Sequence, residues 1–306
     1  MSNDTLPSTA PVQPAKPVKE SKPASLWSDA WYDLRRNPVF IIGGAMLVLL
    51  IAISAFPGLF DTVGVDAKTC SLAQARKGIT SEHWFGTDNL GCDVYSRVIW
   101  GARVSIIVGF VSAIVTAIIG GALGLLGGFY GRWVDVLLSR IAEIFFAVPS
   151  ILGALLILAV IGRDNAGIGT VVLALSLLAW PMILRIMRAA VITAKAQDYV
   201  VAARALGAGP GRIMIRHILP NAVAPVIVVS TINLGAFIAA EAALSFLGVG
   251  IQSPQISWGL MIADARNRFL EAPLPLLFPA LFLSLTILSV VMLGDAVRDA
   301  LDPKLR

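Results

Sequence analysis

Few side chains in this 306-residue chain can do chemistry, and where they fall decides what kind. Glu143 and Glu241 lie at the edge of, or within, long apolar runs. An ionised carboxylate against hydrocarbon is costly, so such groups normally face protein or water. Each can relay protons, line a gate or bond to backbone, and Glu143 can also reach an aqueous interface; the roles other than relay are the preferred reading. The two cysteines, Cys70 and Cys92, share one polar segment, where a disulfide and two separate thiols are both compatible with the sequence. The two histidines, His83 and His217, are separated by several apolar runs and fall on opposite sides of a membrane, so they cannot share a metal. No G-x-x-x-x-G-K-S/T sequence is present to cradle nucleotide phosphates, and neither H-E-x-x-H nor G-x-S-x-G occurs. Were a chain of this kind part of an active pump, the energy would have to come from another polypeptide or from an ion gradient.

The elements that carry these residues are predominantly apolar. The chain is 57% hydrophobic and 14% charged, with a mean hydropathy of +0.81, and a soluble domain of this size would need more polar surface. Runs at 38–60, 104–130, 144–161, 165–184, 222–240 and 272–294 approach the roughly 20 residues needed to cross about 30 Å of hydrocarbon. The pattern predicts an all-α polytopic membrane protein with six transmembrane helices, the fifth continuing past Glu241. The uncharged stretch 248–258 is rich in glycine and polar residues and reads as a loop.

The net charge of +5 could suggest nucleic acid, but its distribution argues otherwise. Arg35, Arg36, Arg132, Arg140, Arg185, Arg188, Lys195, Arg204, Arg212 and Arg216 all fall on one side of the predicted spans, whereas Asp61, Asp66, Asp88 and Asp93 fall on the other. This positive-inside bias places both termini in the cytoplasm and makes the excess charge a report of topology. Residues 1–37 are expected to form a disordered cytoplasmic tail followed by an interfacial amphipathic segment. A cleaved signal peptide is not expected, because the first apolar run starts late and exceeds an h-region. Residues 38–306 form the membrane domain, with an outer loop at 61–103 and a cytoplasmic loop at 189–221. In the outer loop Trp84, Phe85, Tyr95 and Trp100 suit headgroup depth, and a structural cover is preferred over substrate contact. Gly120, Gly124 and Gly128 let a second helix approach closely. Pro149 and Pro181 are expected to kink spans three and four beside a central path.

The cytoplasmic loop is patterned too regularly for a linker. Residues 198–206 read as a short amphipathic helix with Val201, Ala202, Ala205 and Leu206 on one apolar stripe and Arg204 at its edge. A glycine turn at 207–211 follows, then a second short helix bearing Arg212, Arg216 and His217 and stopped by Pro220. Such a knob can dock in a groove of a cytosolic protein or lay its apolar face in lipid.

The sequence Ala202-Ala203-Arg204-Ala205-Leu206-Gly207-Ala208 followed by His217-Ile218-Leu219-Pro220-Asn221 resembles the characteristic loop of permease subunits of binding-protein-dependent ABC importers. The likeness is to the dipeptide/oligopeptide permeases, in particular their "C" member, and runs over about 31–306. It includes Phe85-Gly86-Thr87-Asp88, Gly91, Asp93-Val94, Ser96-Arg97, Gly101-Ala102-Arg103, the run Glu241-Ala242-Ala243-Leu244-Ser245-Phe246-Leu247-Gly248, Ser257-Trp258-Gly259, Leu293-Gly294-Asp295, Arg298-Asp299 and Leu301-Asp302-Pro303-Lys304-Leu305-Arg306. The ordered set is specific where single motifs are not.

That resemblance implies the type I ABC importer permease fold in a bacterial plasma (inner) membrane. It implies a homologous permease partner, two cytoplasmic ATPase subunits holding ATP and Mg, an extracellular or periplasmic solute-binding protein, and di- or oligopeptide cargo, with no cofactor on this chain. Nickel or another small solute is the alternative cargo, and an ion-coupled carrier using Glu143 or Glu241 the alternative class. Asp198, Ala202, Ala203, Arg204, Leu206, Gly207 and Arg212 are the expected ATPase-coupling residues, and Glu143, Pro149, Pro181 and Glu241 the gate or path candidates. Two positions depart from the family: Val201 stands where a glutamate is usual, so that the acidic contact is either absent or supplied elsewhere, with Asp198 the candidate, and Cys92 stands where arginine is common.

Overall fold

The computed structural model describes residues 26–66, 69–162 and 165–301. The predicted tail and the closing 302–306 motif lie outside the described residues. Ten helices organise the remainder: α1 (Leu26–Leu34), α2 (Pro38–Ala55), α3 (Val94–Tyr130), α4 (Arg132–Phe146), α5 (Ser150–Ile161), α6 (Ile168–Lys195), α7 (Asp198–Ala205), α8 (Ala224–Phe246), α9 (Trp258–Ala265) and α10 (Leu274–Leu301), with shorter turns between them. No strand occurs among the described residues. Five helices (α2, α3, α6, α8 and α10) are long and apolar enough to cross a membrane, and the bent pair α4–α5 meets the same measure when its halves are taken together, which makes six if the pair is one span.

Local chemistry sets the ends. The Asn37 side chain accepts from the Val39 N–H at 2.9 Å, and Pro38 occupies the first turn, where its missing N–H costs nothing. Asp93 caps α3 by accepting from Ser96 N–H at 2.7 Å. With 37 residues, α3 is about 55 Å long at 1.5 Å per residue, well beyond the hydrocarbon thickness, so it carries part of the outer loop on its own first turns.

Span three is corrected in its bounds: its first half begins at Arg132 rather than 144, and the kink expected at Pro149 is a break at which α4 and α5 meet at 83° across residues 147–149. Pro149 lacks an N–H and disfavours helical backbone at the residue before it, which ends α4. The half before the break is also amphipathic, carrying Asp135, Ser139, Arg140 and Glu143. By contrast, α6 runs unbroken through Pro181. Its backbone lies against α3: a Cβ on Gly120 would sit 2.6 Å from the Trp180 carbonyl, and one on Gly124 2.5 Å from the Leu184 carbonyl. The four-residue glycine spacing therefore buys direct helix–helix contact at this seam.

The expected stop at Pro220 is also corrected. A π-helical turn, Ile213–Ile218, passes into Leu219–Ala222 and then α8. The proline falls in the first turn after the π segment, where no helical N–H is required of it. α10 crosses α2 at Gly43, whose Cα faces Ser289 and Met292, while α1 packs on α10 and brings the two ends of the described chain to one face.

Candidate functional site

On the face shared with both ends, α7 presents two apolar sides. Val200 is buried in a cluster with Val191, Ala194, Ile213 and Ile218, anchoring the helix to the body, and Ala203 on the same side is buried too. Val201, Ala202, Ala205 and Leu206 are all exposed, Leu206 by 88% and Val201 by 56%. The predicted stripe thus points away from the chain. Gly207, at φ +81°, ends the helix in a left-handed turn: the Ala208 N–H reaches the Ala203 carbonyl and the Gly207 N–H the Arg204 carbonyl, each at 3.0 Å. Asp198, Arg204 and Arg212 are exposed, and no ion pair engages them among the described residues. Lys195 donates to the Phe129 carbonyl and ties the knob's root to the end of α3.

The path candidates separate. Glu143 is exposed and pairs with Arg140 at 2.7 Å on the outside of α4. It also lines a cavity of about 270 Å³ with Arg185 and Arg188, and Arg188 makes a bidentate pair with Asp135 that bridges α4 and α6. Pro149 marks the bend, and Pro181 is buried in the α3–α6 seam. Glu241 is fully enclosed. It accepts from Ser105 Oγ at 2.9 Å and Ser245 Oγ at 2.8 Å. Each hydroxyl serves a second group: Ser245 Oγ accepts from Ile251 N–H at 2.9 Å and Ser105 Oγ from Trp258 N–H at 3.3 Å. Glu241 therefore binds α3, α8, the following loop and the start of α9 into one block. Sequence reasoning missed those serines because Ser105 lies 136 residues from Glu241; only the i,i+4 spacing of Glu241 and Ser245 hinted at a pair.

The opposite face is closed by the outer loop. Cys70 and Cys92 are joined in a disulfide. His83 sits between Asp93 Oδ1 at 3.0 Å and Gln74 Oε1 at 2.9 Å, and Phe85 stacks on Phe278 of α10 at 3.7 Å. Asp88 accepts from the Leu90 and Cys92 N–H groups and pairs with Arg97. Between this loop, the 252–256 segment and α9 opens a cleft of about 820 Å³, which the sequence did not suggest. Among the described residues, no cluster of His, Cys, Asp and Glu could hold a metal ion.

Residues 120–306 match the family described as binding-protein-dependent transport system inner membrane component, and residues 25–68 match the N-terminal TM domain of oligopeptide transport permease C. The chain is 39% identical to a dipeptide transport system permease protein of Alkalihalophilus pseudofirmus, over 96% of each sequence. It is also 39% identical to an oligopeptide transport system permease protein of Bacillus subtilis, over 93% of this chain and 92% of that one. Identity to a glutathione transport system permease protein of Pectobacterium atrosepticum is 36%, over 94% and 95%. Among solved structures, a chain of the MetNI methionine ABC transporter in an inward-facing conformation aligns with a TM-score of 0.55 at 22% identity, covering 67% of this chain and 96% of that one, a likeness of fold.

Proposed function

We infer the function from a plain premise: this chain belongs to the binding-protein-dependent transport system inner membrane components, and it is a multi-pass permease subunit of the inner membrane. It forms half of a translocation path, completed by a homologous permease. Two cytoplasmic ATPase subunits, which hold ATP and Mg, bind beneath it, and a solute-binding protein delivers cargo to the outer face. The chain itself carries no cofactor and breaks no bond. Its relatives' names point to peptides, and di- or oligopeptides are the cargo proposed here.

The observation that carries the coupling role is the outward stripe Val201, Ala202, Ala205 and Leu206 on a helix whose other side is anchored. An amphipathic helix held this way seats its free apolar face in a partner's groove. Closure of the ATPase pair on ATP then pulls α7, and the near-continuous helical path from Pro210 into α8 passes that movement through the membrane to the Glu241 block.

Leu206→Asp and Arg204→Glu test the assignment in the reconstituted importer. Each is expected to lower ATPase association and uptake about tenfold, the loss of a contact worth roughly 1.4 kcal/mol. Membrane insertion and thermal stability stay unchanged, since both side chains already face solvent. Undiminished uptake at normal abundance would remove the knob from the mechanism.

A further inference from the structure

The outer cleft has the size and chemistry of a ligand site. Its volume of about 820 Å³ lies within the roughly 300–1,000 Å³ typical of small-molecule pockets. One wall is the outer loop, closed by the Cys70–Cys92 disulfide and contributing Asp88 and Asn89; the facing wall is the 252–256 segment and α9, contributing Gln255 and Asp264. Both walls are fixed: Asn89 Nδ2 donates to the Asp264 carbonyl at 3.0 Å, and the Glu241 block holds the start of α9.

Among the described residues, the charges that line it do not cancel. Arg97 and Asp88 form a close pair with side chains only 17% and 12% exposed, so they neutralise each other. Asp264 reaches Arg97 only at 3.8 Å, and its side chain, which lines the cleft, is 56% exposed. One acceptor-only group is thus left with spare capacity beside amide side chains that can bond to a peptide backbone. Burial pushes the Asp264 carboxyl above its ordinary range, with Arg97 opposing and Asp88 reinforcing. A carboxylate on a ligand would meet two acids there. A primary ammonium, with three donors and a positive charge, fits.

We propose that this cleft receives the free α-amino end of a peptide cargo, with Asp264 as its counter-ion. The assignment rests on the peptide-importer reading and names a specificity residue for it. The cargo's amino end is held at the outer mouth while the Arg97–Asp88 pair keeps the cleft's polarity fixed.

The test uses the complete permease–ATPase complex in detergent without its solute-binding protein, so that selection by that protein cannot intrude. Saturation-transfer NMR with an alanyl dipeptide and its N-acetyl form reads binding directly. The native complex is expected to bind the free-amino dipeptide about tenfold more tightly, the worth of one charge-assisted hydrogen bond. Asp264→Asn should abolish that preference and Asp264→Glu restore it. Equal binding of the two peptides by the native complex, binding of neither, or an equal loss of both in Asp264→Asn overturns the cleft assignment. So does weaker docking of the unloaded solute-binding protein to Asp264→Asn, which would make the cleft a protein-docking surface. Proteoliposome uptake with the solute-binding protein present, measured in parallel, tests the peptide reading separately: uptake of peptide without amino-end preference leaves that reading intact while the cleft assignment fails.

Discussion

The loop at 69–93 and the knob at 198–222 are of similar length and lie on opposite faces, yet they are built on opposite principles. The outer loop satisfies its polar groups within the chain. Thr87, Asp88 and Asp93 are almost wholly buried, His83 is bracketed by two partners, and a disulfide closes the segment. The inner knob leaves its charged residues Asp198, Arg204 and Arg212 unpaired among the described residues and turns apolar side chains outward. A segment with every buried polar group paired has one shape and keeps it. A segment that exposes Leu206 and Val201 is complete only against another surface. The two faces therefore differ: the outer one is preformed, and the inner one leaves an apolar stripe that the described chain does not cover.

The sharpest attempt to break this contrast is Gly91→Val. Gly91 sits at φ +75°, and a Cβ there would lie 1.8 Å from the Ser71 carbonyl, in backbone that the adjacent disulfide prevents from moving aside. Strain and overlap together should cost about 4 kcal/mol or more in thermal or denaturant unfolding in detergent. A loss below about 1 kcal/mol would show that the outer loop yields, and the claim of a preformed face would fail. Replacing Gly207 at the end of the knob tests the other half: its site is open, so only the left-handed backbone is penalised, at roughly 1–2 kcal/mol.

Glu241 tests how far the rigid outer block extends. Glu241→Ala removes the acceptor shared by Ser105 and Ser245 and leaves a hole at a site with no exposure, costing about 3 kcal/mol by the same unfolding measurement. Glu241→Gln keeps the volume and one acceptor oxygen and should cost about 1 kcal/mol. Uptake that survives in Glu241→Gln but becomes independent of a proton gradient would instead revive the relay reading. Equal losses for the two variants would mean that the carboxylate's bonds to the serines, and not the volume that glutamine retains, hold the block.

Much of this was legible in the sequence, and the failures share a cause. Apolar run length located the spans, and glycine spacing located the α3–α6 seam, because both are local patterns. Run length carries no direction, so it could not show that α4 and α5 meet at 83°. Pro149, Pro181 and Pro220 look alike in sequence; one breaks a span, one is carried inside a helix and one follows a π turn, according to what packs around each. The stripe on α7 was visible, but which side faced out was not, since Val200 and Ala203 are as apolar as Val201 and Ala202. The outer cleft joins residues from 65 to 275 and has no local pattern at all.

The smallest effect expected is also the most discriminating at the knob. The family resemblance places an acid where this chain has Val201, which argues that Val201→Glu should tighten the ATPase contact. The structure argues the reverse: Val201 is 56% exposed on the same outward side as Ala202, Ala205 and Leu206, so it belongs to the apolar surface proposed to dock. Asp198 lies one turn earlier, also exposed, where it can supply the acid without interrupting that surface. Val201→Glu should then leave unfolding within about 0.5 kcal/mol of native and weaken ATPase association about threefold, the worth of burying less than one methylene. Tighter association would move the acidic contact from Asp198 to position 201, and would mean that the partner's groove meets α7 through a cation there and grips its apolar surface further along, at Leu206.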